Sequence, residues 1–336
     1  MRSRADMRAQ CSGSMVERQK APAALGATIP ASMAGERLDR VLARLFSEYS
    51  RARMQRWVRD GRVEVDGAPC RDTRARVAGG ERLRVDPPPP VPTQLGPEAI
   101  ELRLVYRDEH LLVLDKPAGL VVHPGAGNRD GTLVNALVHL DPSLSALPRA
   151  GLVHRLDKNT SGLMVVACTL QAQTGLSRLI AERAVHRGYE ALVHGIAPAA
   201  GRVDAPVGRH RVQRTRMSVR EGGRHATTDF RRIAAFRAHS HLALQLGTGR
   251  THQIRVHMAH LGHPIVGDRE YGGVRPAPAA LEQDAAQAVR GLSRQALHAC
   301  RLRFEHPISG HTLALESALP ADMAALLAAL DADLRR

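Results

Sequence analysis

The stretch PPPPVPTQLGP, Pro87 to Pro97, limits the fold of this chain more than any other feature. Proline has no backbone N–H and a fixed φ, so a run this dense enters neither a helix interior nor a central strand. It forms a stiff extended spacer instead. The residues before it must bury one core and those after it another, and a chain of 336 residues is long enough for both. The expected organisation is a tail without structure over residues 1–34, a small domain over 35–86, a linker over 87–99 and a larger domain over 100–330.

The first 34 residues scatter Arg, Ser, Ala and Pro without an apolar period. From Glu36 the pattern changes. Leu38, Val41, Leu42 and Leu45 recur at i, i+3, i+4 and i+7, the apolar stripe of a helix. Ser50 is a good N-cap for a second helix that carries Met54, Trp57 and Val58 and stops near Gly61. Val63 and Val65 then alternate into Asp66-Gly67, a hairpin signal, and ERLRVD at 81–86 supplies a further strand. This makes a small α/β domain whose arginines, Arg37, Arg40, Arg51, Arg53 and Arg56, lie mostly off the apolar stripe. Such a face can be merely solvated. The stretch resembles the S4 RNA-binding domain in Arg37-Leu38-Asp39, in Ser50-Arg51 and in the turn from Gly61 to Gly67. That resemblance implies that the arginines meet RNA phosphates, giving salt-sensitive affinity with little sequence information.

After the linker, LRLVYRDE and HLLVLDKP read as strands, Pro124 to Gly131 as a loop, and Thr132 as the start of a helix through Leu137. Strands and helices recur from Leu102 to Leu319 without the regular alternation of a doubly wound sheet. An α+β domain on a mixed, mainly antiparallel sheet is expected.

Composition narrows the function. No apolar run reaches the roughly 18 residues of a membrane span, and the first 35 residues lack the apolar middle of a secretory signal. The four cysteines, Cys11, Cys70, Cys168 and Cys300, form no CxxC pair and read as reduced thiols, so a cytoplasmic location is expected. The net charge of +15 points to a polyanionic partner, most often nucleic acid. Only Lys20, Lys116 and Lys158 are lysines, an arginine bias that genome base composition alone can produce, but the sign of the charge stands.

One carboxylate stands out. In GLVHRLDKNTSGLMVVA, Gly151 to Ala167, Leu152-Val153 and Gly162 to Ala167 read as strand-like segments joined by a polar turn that holds Asp157 between Arg155 and Lys158. A lone Asp in a turn usually only bonds a local amide. Held at the rim of a sheet beside two cations, it is also where an ionised nucleophile or base belongs.

The surrounding residues decide between these. HRLDKNTSG closely resembles the HRLDxxTSG signature of the RluA family of pseudouridine synthases. RGYEALV at 187–193 and TGRTHQIRVHMAHLGHPIVGD at 248–268 resemble further blocks of that family, as do DKPAGLVVHPG, RQALHA and HPISG. The likeness runs from about Arg103 to Leu319. PGAGNRDGT, PRAGLVHRLDK and GDREYGG are most similar to the members that act on large-subunit ribosomal RNA at the helix 69 stem-loop. Members acting at other large-subunit sites are the alternative.

The resemblance implies a pseudouridine synthase fold and a catalytic Asp157. It also implies an Arg255 that pairs with Asp157, a Tyr189 whose ring stacks on the target uracil, and an Arg155 that fills the gap left by the extruded base or holds its backbone. Ile254, Met258 and Leu261 are spaced for the buried face of a helix, and Arg255 lies about 100° around from Ile254, so it can point away from the core. Tyr189 alternates with Ala191 and Val193 on one side of a strand, where a core tyrosine is the plainer reading.

Turning uridine into pseudouridine involves no redox change, so no cofactor is expected. Asp157 can attack C1′, assist loss of the C2′ proton, or add to C6. His252, His257, His260 and His263 invite a metal, but only His257 and His260 share a helix face and no carboxylate or thiol cluster joins them in sequence, so none is expected. A hydrolase using Asp157 as phosphate acceptor would need metal-binding carboxylates that the DKNTSG turn does not supply. A non-catalytic RNA-binding assembly factor would predict loss of Asp157, Tyr189 or Arg255, and all three are present. The expected partner is large-subunit ribosomal RNA or the precursor of that subunit, bound by a monomer.

Overall fold

The computed structural model describes residues 24–46, 49, 51–88, 96–125, 128–213, 215–273, 275 and 278–336, and for residues 52 and 53 the backbone alone. The chain divides into two units, Met1–Thr93 and Gln94–Arg336. The division falls in the proline-rich stretch, of which residues 89–95 lie outside the described residues, as do Ser50 and the side chain of Arg53.

The first unit contains β1 (Leu25–Thr28), α1 (Leu38–Leu45), α2 (Arg51–Arg59), β2 (Val63–Val65), β3 (Ala68–Pro69) and β4 (Arg82–Val85). Its strands pair antiparallel in the order β1-β4-β2-β3. The helix stripes close one core: Leu38, Val41 and Leu42 meet Met54, Trp57 and Val58 over Val63, Leu83 and Val85. Asp66 and Gly67 both take positive φ, as a two-residue hairpin turn requires.

Of the tail expected over residues 1–34, residues 1–23 lie outside the described residues, and the described part is ordered. Residues 25–28 form β1 and Ala31–Met33 a 3-10 turn, with Ile29 buried in the core. LGAT is too brief for a readable period, and its partner β4 is what makes it a strand.

Asp39, in the first turn of α1, is fully buried and accepts from Arg37 Nε (3.1 Å), Arg51 Nη2 (2.7 Å) and Gln55. Burial by itself would raise its pKa; the bonds from Arg51, Gln55 and Arg37 outweigh that and hold it at about 2. The pKa is below that of an unfolded aspartate, so the stabilisation is complete above the ordinary carboxylate range and fades as pH falls toward about 2.

The second unit contains β5 (Arg103–Arg107), β6 (Leu111–Lys116), α3 (Leu133–Leu140), β7 (Ser161–Ala167), α4 (Leu170–Ala181), β8 (His186–His194) and β9 (Ala200–Asp204). The ribbon β10 (Val207–Arg209) and β11 (Met217–Val219) follows, then β12 (Thr227–Ala235), β13 (His239–Leu246), α5 (Gln253–His260) and α6 (Gln283–Gly291). β14 (Leu297–Glu305), β15 (Thr312–Glu316) and α7 (Ala321–Arg335) complete it. The sheet runs β5-β6-β7-β14-β8-β13-β12-β9, with β15 also on β14. Among the described residues only β7 and β14 pair parallel, so the sheet is mixed and mainly antiparallel.

The unbroken apolar runs of β6 and β7 come from burial on both faces. Leu112, Leu114, Met164 and Val166 join the core that holds α3, α5, α6 and α7, while Leu111, Val113, Leu163, Val165 and Ala167 meet Ala172 and Leu176 of α4. Thr132 caps α3 in a reciprocal box with Asn135, and the helix runs to Leu140, past the expected Leu137. The unit is also longer than expected at both ends. Asn135 Nδ2 donates to the Gly96 carbonyl (2.8 Å), Gly131 N–H donates to Glu98 (2.8 Å), and α7 continues to Arg335. Among the described residues no helix is long and apolar enough to cross a membrane.

Where β7 meets β14, Gly162 has φ +116°, and a Cβ there would lie 2.3 Å from the Ala299 carbonyl oxygen. Backbone cannot yield as a flexible side chain can. Gly162→Ala should cost about 3 kcal/mol, the scale of a severe core mutation. Calorimetric melting of the full chain checks this, and an unchanged Tm would show that the parallel contact is looser than described.

Candidate active site

The turn that carries Asp157 is fastened from several sides. Gly151 enters it at φ +78°, and a Cβ there would fall on the Ala167 carbonyl oxygen, so the chain passes only as glycine. Leu152 makes a single bridge to Val166, so the strand expected at Leu152-Val153 is one residue pair. Val165 N–H donates to His154 Nε2 at 3.0 Å, and Thr160 N–H to the Asp157 carbonyl at 3.0 Å. Beneath lies Lys116, fully buried, its Nζ donating to the carbonyls of Pro117 (2.7 Å), Leu120 (3.1 Å) and Lys158 (3.1 Å). Burial pushes Lys116 down to about 7, against the pull of Asp157. Three carbonyls match the three N–H bonds of an ammonium; a neutral amine would leave one without a donor.

Asp157 Oδ2 accepts from Arg255 Nη1 at 3.3 Å, and its Oδ1 lies 3.8 Å from His252 Nε2. Arg255 does not point away from the core. α5 is buried nearly all round, and Arg255 is 6% exposed. Its side of the helix faces acid: Arg255 Nε and Nη2 bind Asp268 at 2.7 and 2.9 Å, and Nη2 also binds Glu270 at 2.8 Å. The guanidinium rests 4.8 Å from the centre of the Tyr271 ring. Burial alone would lower the Arg255 pKa, but the carboxylates, Asp268 foremost, raise it above its ordinary value. Arg255 is a fixed cation shared among three anions.

His252, at the N-cap of α5, has left-handed backbone, with φ 56°. Its Nδ1 is 2.7 Å from the Tyr271 hydroxyl and 3.6 Å from Glu270. Burial lowers its pKa and raises that of Tyr271 to about 12. The same hydroxyl accepts from Met217 N–H (2.9 Å), tying the β10–β11 ribbon to the site.

Tyr189 stands on β8 opposite Leu244 of β13, 5% exposed, in the core with Ala191 and Val193. Burial raises its pKa. It also borders a cavity of about 920 Å³ lined as well by Arg155, Asp157 and Arg255, so all four synthase-domain residues singled out in the sequence meet in one place. In the first unit Arg37 and Arg51 are engaged by Asp39, whereas Arg40 is exposed and Arg56 is 79% exposed, 3.8 Å from Asp60.

Sequence reading weighed His252 for a metal alone and missed Asp268, Glu270, Tyr271 and Lys116. Their signal was present in GDREYGG and DKP, which mark the family without showing which side chains reach the site. The three carboxylates converge on a guanidinium, and among the described residues no group of three or more His, Cys, Asp or Glu could hold a metal ion. His257 is spent on Thr228 (2.9 Å) and the Ala205 carbonyl (3.0 Å), and His263 on the His194 carbonyl (2.9 Å).

The profile of the RNA pseudouridylate synthase family matches residues 110–260, and that of the S4 domain residues 36–83. Over 310 residues the chain is 51% identical to the ribosomal large subunit pseudouridine synthase D of Xanthomonas campestris, spanning 92% of this chain and 93% of that protein. The Escherichia coli K12 protein of the same name is 46% identical over 309 residues, 92% and 95% of the two chains. Among solved structures, human RNA pseudouridylate synthase domain containing 4 aligns with a TM-score of 0.54 at 27% identity, over 68% of this chain and 93% of that one. Its counterpart, domain containing 1, aligns at 0.52 and 28%, over 66% and 84%. The matched segment holds both the Asp157 turn and the helix of Arg255, and with near full-length identity to such relatives the chain belongs to the RNA pseudouridylate synthase family, its synthase domain preceded by an S4 domain.

Proposed function

We propose that this enzyme isomerises uridines of large-subunit ribosomal RNA to pseudouridine, at the helix 69 stem-loop, with Asp157 acting on the bond between base and sugar. The observation that carries the reading is the Asp157 carboxylate held by Arg255 at the wall of a cavity bordered by arginines. Large-subunit RNA as the target is supported by the relatives named for the large ribosomal subunit, and helix 69 by the resemblance of PGAGNRDGT, PRAGLVHRLDK and GDREYGG. The N1–C1′ bond breaks, the uracil turns over and C5 joins C1′; C5 loses a proton and N1 gains one, so the reaction balances without a cofactor. Attack on C1′, removal of the C2′ proton and addition to C6 all need a carboxylate anion beside the substrate. Arg255 keeps it oriented, Tyr189 offers a ring to the extruded base, and Arg155 holds the gap or the backbone. Arg40, Arg56 and their neighbours in the S4 domain add phosphate contacts. On this reading the enzyme acts as a monomer in the cytoplasm.

Carbodiimide primer extension on ribosomes from a deletion strain tests this. Pseudouridines in the helix 69 loop should disappear and return with the wild-type gene but not with an Asp157→Asn gene. Loss at other large-subunit positions would move the target to those sites, and an unchanged pattern would remove large-subunit RNA as the substrate.

A further inference from the structure

The cations at the cavity are of two kinds. Arg255 is saturated with acid. Arg149, Arg183 and Arg187 line the same cavity, and none has a carboxylate partner among the described residues.

Two of these three stand on backbone that a side chain adopts at a cost. Arg183 follows the end of α4 with φ 62°; its N–H bonds the Ile180 carbonyl (3.2 Å) and the next N–H, of Ala184, bonds that of Leu179 (2.8 Å). That pattern usually carries glycine. Arg149 has φ 54° and is followed by Ala150 at φ 51°. Strain of this sort persists where function holds it.

Arg187, on β8, is placed by packing. Its guanidinium lies against Gly249, where a Cβ would come within 2.9 Å of Nη1. Its Nε is buried without a hydrogen-bond partner. Beside it His154 is held neutral, pushed to about 3 by burial first and then by the Arg187 charge. A seated guanidinium with an unused donor and no counter-charge is prepared for an anion.

We propose that Arg149, Arg183 and Arg187 seat backbone phosphates of the RNA strand on either side of the target nucleotide. This rests on the synthase reading and extends it. Extruding a base swings its flanking phosphates, and cations fixed to β8, to the turn after α4 and to the turn at Pro148–Gly151 hold them while the base enters the cavity.

The test uses the full chain carrying Arg149→Gly, Arg183→Gly and Arg187→Gln together, and a large-subunit stem-loop transcript bound over a range of KCl. Glycine suits both left-handed positions, so the melting temperature should not fall. Affinity at low salt should drop on the order of 10- to 100-fold, and the slope of log affinity against log salt should become shallower by about 2, some 0.7 for each phosphate left without its arginine. The charge-matched control is Arg107→Gln, Arg202→Gln and Arg301→Gln, whose partners are Asp141, Asp229 and Glu316. It should move the slope by less than about 0.5. Gly249→Ala keeps every charge but displaces the Arg187 guanidinium, and should weaken binding several-fold. An unchanged slope in the first triple variant, an equal change in the control, or full affinity in Gly249→Ala each overturns the proposal. Tritium release from 5-tritiated uridine by the wild-type enzyme on the same transcript separates the two failures: with release intact, only the phosphate seats are lost; without it, the synthase reading falls.

Discussion

Asp157→Ala should abolish pseudouridine formation while RNA affinity stays within a few-fold of wild type. The two effects separate because different side chains carry them. On the proposed reading, affinity resides in arginines of the S4 domain and of the cavity rim, which neutralise phosphates whether or not chemistry ensues. Asp157 supplies the longest of the charged bonds to Arg255, 3.3 Å against 2.7 to 2.9 Å for Asp268 and Glu270. With those two in place, the guanidinium keeps its seat when Asp157 is cut back. The turn itself is fixed by Lys116, His154 and Thr160, none of which uses the Asp157 carboxylate. The variant should therefore fold and bind yet lose at least roughly a thousandfold in turnover, as when a group essential to bond-breaking is removed. Asp157→Asn, which keeps the shape and loses the charge, should fail as completely. Single-turnover tritium release from 5-tritiated uridine measures both. Pseudouridine formed by purified Asp157→Ala at a tenth of the wild-type rate would end the case for this residue.

Local order was legible in the sequence where a period or a turn signal spans enough residues. The stripe of α1, the Asp66-Gly67 hairpin and the cap of α3 at Thr132 all appear as read. β1 was not legible, because its four residues become a strand only through β4. A linear pattern places Arg37 and Arg51 on a basic face but does not show the buried Asp39 that both also bond. The same gap explains Arg255. A helical wheel gives its angle from Ile254 but not the groups that wait there, and a helix packed between ribbon and sheet has no solvent side over its first turns. The 98 residues that separate Asp157 from Arg255 put their pairing beyond any local reading, and only the family motif suggested it. Asp268 and Glu270 had no such motif role attached to them, although they hold Arg255 more tightly than Asp157 does.

That ranking shapes the effect of losing Arg255. Arg255→Ala leaves Asp268, 1% exposed at its side chain, without the fork that occupies both its oxygens. Removing one partner of a buried ion pair costs about 3–5 kcal/mol, far more than the pair itself contributes, because the remaining charge stays desolvated. Asp157 loses its orienting donor at the same time, so turnover should fall by roughly a hundredfold or more even in the molecules that remain folded. The two losses must be separated, and Arg255→Lys does so. An ammonium keeps the positive charge near the acids but cannot present the planar fork to Asp268 and a third donor to Asp157 at once. Stability should recover in large part while activity recovers only partly. Asp268→Asn attacks the other side: it spares the Arg255–Asp157 bond but loosens the guanidinium that makes it, so turnover should drop with affinity for RNA unchanged. Melting temperature and single-turnover rate, measured together on the three variants, give the ordering. Wild-type turnover by folded Arg255→Ala would mean that Asp157 is oriented by another group, and His252, 3.8 Å from the free carboxylate oxygen, would be the next to change.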